Sequence, residues 1–247
     1  MSTASLLSPE APGTVDSTVP EPELSVFGQA APGRRTVAHT VLESLRWRVA
    51  VEDVVFDRLY PTHVRRLSSV HWTPVSVALR AAALLAPEPD MQILDVGAGP
   101  GKLCCVGAVA YGGSWHGVEL NPLLVEAATA TAKQLEIDHC TSFHAGDMNQ
   151  LDWDRFDSLY FYNPFESVLF GGGCPDPDGW TAFADQVAYT EERLSQLSTG
   201  TRVVTFHGFG GEMPSSFALT FTEAIGDGEL ALWIKQPRSR PGHVQPR

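Results

Sequence analysis

Three glycines stand in alternate positions, Gly97, Gly99 and Gly101, and an acidic residue, Asp95, precedes them. Residues 93–96 form a short run rich in branched apolar side chains, which predicts a buried parallel strand. Because glycine has no Cβ, such a loop can turn sharply and bring its backbone close to a ligand. The stretch predicts a site for a nucleotide-like ligand at the carboxyl end of a strand.

Three later strand-like runs also end in residues suited to such a ligand. Glu119 stands near the end of the run 115–120, about twenty residues beyond the glycines. A carboxylate at this position can accept hydrogen bonds from both hydroxyls of a ribose. The run 141–145 leads into Asp147 and Met148, and the run 158–162 leads into Asn163-Pro164-Phe165. Parallel strands present their carboxyl ends along one crevice, so these residues are predicted to share a site.

The spacing of the glycines limits which nucleotide is expected. A dinucleotide fingerprint has glycine at the first, third and sixth positions, but the sixth position counted from Gly97 is Lys102. A phosphate loop of the form GxxxxGK[ST] is also excluded, because Leu103 follows Lys102. The pattern therefore disfavours a nicotinamide-dependent oxidoreductase.

The sequence Asp-x-Gly-x-Gly-x-Gly, residues 95–101, resembles the first motif of class I S-adenosylmethionine-dependent methyltransferases. The resemblance covers residues 73–166 closely and extends more loosely to Lys235. It implies an α/β fold, a doubly wound Rossmann-like seven-stranded sheet with helices on both faces. A C-terminal antiparallel β-hairpin is expected around Gly226-Asp227-Gly228.

The resemblance also implies which residues bind S-adenosylmethionine. In the family, an acidic residue at the position of Asp147 accepts from the adenine amino group, and the next residue, Met148, lies against the ring. The positive N-terminal end of the helix 102–110 suits the carboxylate of the methionine moiety. The predicted cofactor-binding residues are Thr73, Asp95, Gly97, Ala98, Gly99, Gly101, Glu119, Leu120, Asp147, Met148 and Asn163.

The predicted catalytic residues are Asn163, Pro164 and Phe165. The resemblance to amino-directed methyltransferases implies that the Asn side chain and the Pro carbonyl accept the hydrogens of an amine, with an aromatic residue beside it. This sequence lacks one proline of the usual Asn-Pro-Pro-Tyr, and it is also similar to the Asn-Asn-Phe of Dot1-like lysine methyltransferases. The acceptor is unidentified, with an amine nitrogen favoured over oxygen. Alternatively, Asn163-Pro164 has no catalytic role and forms only a tight turn at the end of the strand.

Two other functions remain open at the sequence level. A small-molecule O-methyltransferase would need a base, for which Glu166, His144 and His207 are the candidates, with Glu166 first because it adjoins the acceptor site. Alternatively, the protein binds the cofactor without catalysis and serves as a scaffold or sensor.

Composition limits the partners and the location. The 247-residue chain has 17 basic and 29 acidic residues and a net charge of −12, which argues against a nucleic-acid or anionic-membrane partner. Its four cysteines lack paired Cys-x-x-Cys spacing, so no metal site is predicted. With no apolar run of membrane-spanning length and no targeting signal, a cytoplasmic protein is expected.

Four regions are predicted along the chain: a flexible tail (1–35), a helical cap or lid (36–74), the methyltransferase domain (75–236) and a C-terminal tail (237–247). Near-helical apolar spacing predicts one helix over residues 40–60, ended by Pro61.

Three local features are also predicted. Thr73 is expected to be the N-cap of an alanine-rich helix, or else to cover the methionine end of the cofactor. Residues 171–179 are expected to be irregular, because they are rich in glycine and proline, and a substrate lid is one interpretation of them. Trp153 is interpreted as a surface anchor.

Overall fold

The computed structural model describes residues 36–66, 72–165 and 177–237. Its centre is a seven-stranded sheet in the order β3-β2-β1-β4-β5-β7-β6. Strands β1 to β5 pair in parallel, whereas β7 runs antiparallel to both β5 and β6. The seven-stranded sheet and its closing hairpin are confirmed. The strands are β1 Gln92–Val96, β2 Ser114–Glu119, β3 Thr141–Ala145, β4 Ser158–Tyr162, β5 Arg202–Phe206, β6 Phe217–Ile225 and β7 Gly228–Lys235.

Helices cover both faces of the sheet, because side chains along each strand alternate between two hydrophobic cores. In β1, Ile93 enters the core under α1, α4, α5 and α6, whereas Leu94 and Val96 enter the core under α7. The helices are α1 Val37–Arg46, α2 Asp53–Phe56, α3 Thr62–Arg65, α4 Val75–Leu85, α5 Lys102–Tyr111, α6 Pro122–Gln134 and α7 Pro177–Gln196, with short 3-10 turns at Asp57–Leu59, Met148–Gln150 and Trp153–Arg155.

Strand β1 is where the chain reverses its direction across the sheet. It pairs with β2 on one side and with β4 on the other, and the chain then continues outwards to β3 and to β5. In open α/β sheets this arrangement leaves a crevice beyond the carboxyl ends of the strands. The glycine loop lies at this point.

The prediction of one helix over residues 40–60 is wrong. Helix α1 ends at Arg46, and Arg48 has a φ of 57°, which a right-handed helix cannot contain. The Arg48 side chain donates to the carbonyl of Ala110 at 3.3 Å, and its guanidinium lies 4.6 Å from the centre of the Tyr111 ring. A contact with the end of α5 therefore sets the break, and Trp47 and Val49 are exposed.

Two smaller predictions also need correction. Trp153 is fully buried in the second core, where its indole N–H donates to the carbonyl of Met148, so it is no surface anchor. Pro177–Gly179 belong to helix α7 rather than to an irregular loop. Glu166, the rest of that loop and both predicted tails, apart from Pro237, lie outside the described residues.

No helix in the described ranges combines the length and the apolar character that a bilayer span requires.

Candidate active site

The glycine loop is packed between the ends of β2 and β4. Gly97, Gly99 and Gly101 have φ values of 75°, 53° and 74°, a region that side chains rarely adopt. The N–H of Gly97 donates to the carbonyl of Val118 at 2.9 Å, and a Cβ at Gly97 would lie only 2.9 Å from Cβ of Pro164. The loop can pack against Pro164 at the tip of β4 because residue 97 is glycine and has no Cβ.

Glu119 at the tip of β2 is directly bonded to this loop. One carboxylate oxygen accepts from the N–H of Gly99 at 3.0 Å, and the other accepts from the N–H of Asn121 at 2.8 Å. Each carboxylate oxygen has a second acceptor site, so these bonds leave capacity for donors on a ligand. Glu119 thus supports the loop and faces the crevice together with it.

A cavity of about 540 Å³ opens at the carboxyl ends of β1, β2 and β4. Its walls combine carboxylates at Glu119 and Asp147 with buried apolar side chains at Met148 and Phe165. Residues predicted from the sequence supply much of the lining: Gly97, Glu119, Leu120, Asp147, Met148, Pro164 and Phe165. Gln186 of α7 also lines it, and sequence reasoning missed this residue because no local pattern links α7 to the strand ends.

A second cavity, of about 310 Å³, lies on the other face of β1 and shares Gly97 with the first. Four further predicted residues lie here, including Asp95 and Gly99. Tyr160 and Tyr162 help to complete it and are not among the predicted site residues, although strand alternation places them on the same face as Asp95. The lining is Trp72, Thr73, Asp95, Gly97, Ala98, Gly99, Pro100, Lys102, Leu103, Tyr160 and Tyr162.

The carboxyl group of Asp95 is only 4% exposed. Its pKa is raised to about 7, chiefly by burial; a hydrogen bond from Cys104 opposes this shift and the charge of Glu119 adds to it. The thiol of Cys104 lies 3.7 Å from Asp95 Oδ2. A carboxyl with this pKa changes its charge near neutral pH, which is common at functional sites.

Thr73 is not the helix cap that the sequence predicted. Pro74 is the N-cap of α4 and provides no side-chain bond, while the N–H of Val75 is satisfied at 3.0 Å by the carboxylate of Asp53. The Thr73 hydroxyl instead lies 3.3 Å from the hydroxyl of Tyr160 across the second cavity. A tertiary contact has replaced the local cap, so Thr73 is available to line the cavity.

Asn163, at the tip of β4, has a φ of 39°, and its N–H donates to the carbonyl of Gly208 at 3.0 Å. His207, after β5, has a φ of 57°, and its ring stacks on Tyr162 with centroids 5.8 Å apart. Two adjacent strand tips thus carry non-glycine residues in left-handed conformations, which concentrate at functional sites. His144 is exposed on β3 and lines neither cavity.

The side chains and backbone that line the two cavities match the chemistry of S-adenosylmethionine. The larger pairs two carboxylates with buried Met148 and Phe165, which suits a nucleoside with ribose hydroxyls and an aromatic base. The smaller presents polar side chains and the glycine backbone beside the N-terminus of α5, which suits a charged amino-acid end.

The family model described as a methyltransferase domain matches residues 87–221. The chain belongs to this family, and with the fold above it is a class I S-adenosylmethionine-dependent methyltransferase. Its methyl donor is therefore S-adenosylmethionine.

Solved structures with similar folds share little sequence with the chain. TrmN from Thermus thermophilus is 14% identical, with a TM-score of 0.52, over 73% of this chain and 53% of TrmN, so the match spans about half of that protein. The putative methyltransferase yhhF from Escherichia coli is 16% identical, with a TM-score of 0.50, over 68% of this chain and 90% of that one. An RNA methyltransferase from Salinibacter ruber, in complex with S-adenosyl-L-homocysteine, is 20% identical, with a TM-score of 0.48, over 78% and 97%. No curated protein sequence matches the chain.

Proposed function

We propose that the protein transfers a methyl group from S-adenosylmethionine to an amine nitrogen. The observation that carries this proposal is the lack of a free cation among the described residues that line the two cavities. Three carboxyl groups line them, those of Asp95, Glu119 and Asp147, and among the described lining residues Lys102 alone is basic. Its ammonium lies within 2.8 Å of Asp53 and 2.7 Å of Asp57, so it leaves no free cation for an anionic acceptor. Such a site favours a neutral or cationic acceptor over a phosphate backbone.

The cofactor is placed across both cavities in this proposal. Glu119 would accept from the ribose hydroxyls, Asp147 from the adenine amino group, and Met148 would pack on the ring. Gly97, Ala98, Gly99 and Gly101 would bring their backbone to the amino-acid end, beside Asp95. This placement is supported by Gly97, which lines both cavities and joins them.

The chain's own contribution to transfer is positioning. Bound S-adenosylmethionine supplies a methyl group already activated on a positive sulfur. Asn163 and the Pro164 carbonyl would hold the acceptor nitrogen by accepting its hydrogens, which orients its lone pair toward the methyl group. Pro164 packs against Gly97 and lines the first cavity, which supports its part in this arrangement.

Methyl transfer to oxygen is the second candidate function, and the position of His207 favours it. The ring stacks on Tyr162, which lines the second cavity, and is partly exposed. A histidine there could accept the proton of a hydroxyl acceptor.

The test is methyl incorporation from labelled S-adenosylmethionine into amines, lysine peptides and alcohols, followed by fractions of cell extract. Asn163→Ala is expected to lower transfer to amines about 10²-fold, because it removes a side chain that positions the acceptor. Glu119→Ala should weaken cofactor binding by a few kcal/mol, about 10²-fold, since it removes a charged acceptor. The exposed Glu126 of α6 supplies the matched control, Glu126→Ala. Methylation of alcohols alone, with loss in His207→Ala, would favour oxygen transfer instead.

A further inference from the structure

Lys102 is a buried ammonium directly beyond the glycine loop. It is the first residue of α5 and is 3% exposed. A positive charge at a helix N-terminus opposes the helix dipole, so its position does not favour the helix itself. Buried lysines are rarely found without a charged partner. The partners of the Lys102 ammonium therefore indicate the role of this residue.

Two carboxylates from the segment before the sheet hold this ammonium. Nζ lies 2.8 Å from Oδ1 of Asp53, the first residue of α2, and 2.7 Å from Oδ1 of Asp57 in the following 3-10 turn. With two carboxylates on one ammonium, the cluster is not positive and offers no anion site. Lys102 is thus better suited to fixing the chain than to binding the carboxylate of a ligand.

The same cluster fixes the start of α4. Oδ1 of Asp53, which contacts Lys102, also accepts from the N–H of Val75 at 3.0 Å. One carboxylate therefore ties the first residue of α5 to the first residue of α4. Trp72 and Thr73 stand just before Pro74, the N-cap of α4, so this junction fixes where they lie.

Trp72 and Thr73 form the outer wall of the second cavity. The Trp72 ring centre lies 5.7 Å from the Lys102 ammonium, and its Cδ1 lies 3.7 Å from where a Cβ at Gly99 would be. The Thr73 hydroxyl lies 3.3 Å from that of Tyr160 on the opposite side. The wall thus contacts the ion cluster through Trp72 and strand β4 through Thr73.

We propose that Lys102 is a positioning residue, whose ion pairs with Asp53 and Asp57 hold Trp72 and Thr73 over the cavity beside the glycine loop. It thereby sets the affinity for the amino-acid end of the cofactor. The proposal rests on the proposed function, in which that end occupies this cavity.

The test compares two ligands in calorimetry, S-adenosylhomocysteine and adenosine, which lacks the amino-acid arm. The double variant Lys102→Met with Asp57→Asn removes the ammonium and its more buried partner together. It is expected to lose about tenfold or more in affinity for S-adenosylhomocysteine and nothing for adenosine, because only the preorganised wall is lost. Asp53→Ala, at a more exposed position, removes the acceptor of both bonds and should give the same ligand-specific loss. This variant decides between the outcomes if the double variant does not fold.

Lys235→Met is the matched control. Lys235 is also a buried lysine, but its ammonium donates to the carbonyls of Leu194 and Ser195 and the hydroxyl of Ser216. General destabilisation should affect this variant too, yet its affinity for both ligands should stay within about twofold of the wild type.

Unchanged affinity in Asp53→Ala, or an equal loss for both ligands, would overturn the role of Lys102 while leaving the proposed function intact. If the wild-type protein binds S-adenosylhomocysteine no better than adenosine, the placement of the amino-acid end is wrong and the proposal for Lys102 falls with it.

Discussion

At the scale of single residues, Asp95 shows how burial converts a motif position into a titrating group. It lies on β1 with the hydroxyl of Tyr160, the thiol of Cys104 and the carboxylate of Glu119 as its polar neighbours, and none of these is cationic. Its pKa is raised to about 7, chiefly because burial penalises the charged form. The cofactor's ammonium would supply the missing positive charge.

Cofactor affinity should therefore depend on pH through Asp95. Binding of an ammonium requires the ionised carboxylate, so affinity for S-adenosylhomocysteine should rise about tenfold per pH unit below pH ~7 and level off above it. Calorimetry between pH ~5.5 and ~7.5 measures this slope. Asp95→Asn, which cannot ionise, should bind weakly with no slope, and a slope that survives in this variant would assign the proton to another group.

The stability of the unliganded protein should depend on pH in the opposite direction through Asp95. Because the folded carboxyl has the higher pKa, the native state binds more protons than the unfolded state between pH ~4 and ~7. The contribution of Asp95 to the free energy of unfolding is therefore lost as the pH rises through this window. Cofactor binding and stability are expected to respond to pH with opposite signs.

At the scale of elements, the glycine loop joins strand β1 to helix α5 through contacts that only glycine permits. A Cβ at Gly101 would lie 2.5 Å from Cε1 of Phe143 and 2.8 Å from Cβ of Ala128. Phe143 belongs to β3 and Ala128 to α6, so one position brings three elements together. The left-handed conformation of Gly101 adds a second reason for glycine.

Gly101→Ala is expected to lower the free energy of unfolding by about 3 kcal/mol, the sum of a left-handed alanine and an overpacked core. Gly226→Ala is the matched control, because Gly226 also has a positive φ, 63°, but nothing lies within 4 Å of where a Cβ would be. It should cost only about 1 kcal/mol. Urea denaturation measures both, and equal losses would show that packing at Gly101 is unimportant.

The segment before the sheet shows how contacts between elements override local pattern. Apolar spacing over residues 40–60 is near-helical, yet the chain turns at Arg48 because its guanidinium lies on Tyr111 at the end of α5. The turn allows α2 to begin at Asp53, where its carboxylate reaches Lys102 and Val75. A continuous helix would not have formed this junction.

At the scale of the whole molecule, the net charge of −12 and the acidic cavities both attract cations and repel anions. A cationic acceptor would be attracted over distances comparable to the Debye length, whereas a polyanion would be repelled. The overall charge thus supports the same class of acceptor as the site itself.

Transfer to a cationic amine should therefore slow as salt rises from about 50 mM to about 300 mM, mainly through kcat/KM. Heparin and bulk transfer RNA should not inhibit the reaction, because the described residues that line the cavities offer these polyanions no free positive charge. Steady-state rates with labelled S-adenosylmethionine measure both effects. Inhibition by polyanions, or label recovered in RNA, would instead indicate a nucleic-acid acceptor.

The sequence alone determined the class of fold and the cofactor family. Strand alternation and the need for glycine at positive φ are local properties, so the strands, the loop at 97–101 and the closing hairpin could be predicted from neighbouring residues. Glu119, Asp147 and Asn163 could be predicted to share a site because parallel strands end along one edge of the sheet. Which role each plays at that edge stays a prediction.

Only the tertiary structure decided how the second cavity is built. Asp53 and Lys102 are separated by 49 residues, Thr73 and Tyr160 by 87, and each pair meets through side chains. No periodicity or motif encodes such pairings, because their energy depends on the burial and desolvation that the assembled fold creates. For the same reason Gln186 of α7 entered the first cavity unpredicted, and Thr73 exchanged its expected helix cap for a contact with Tyr160.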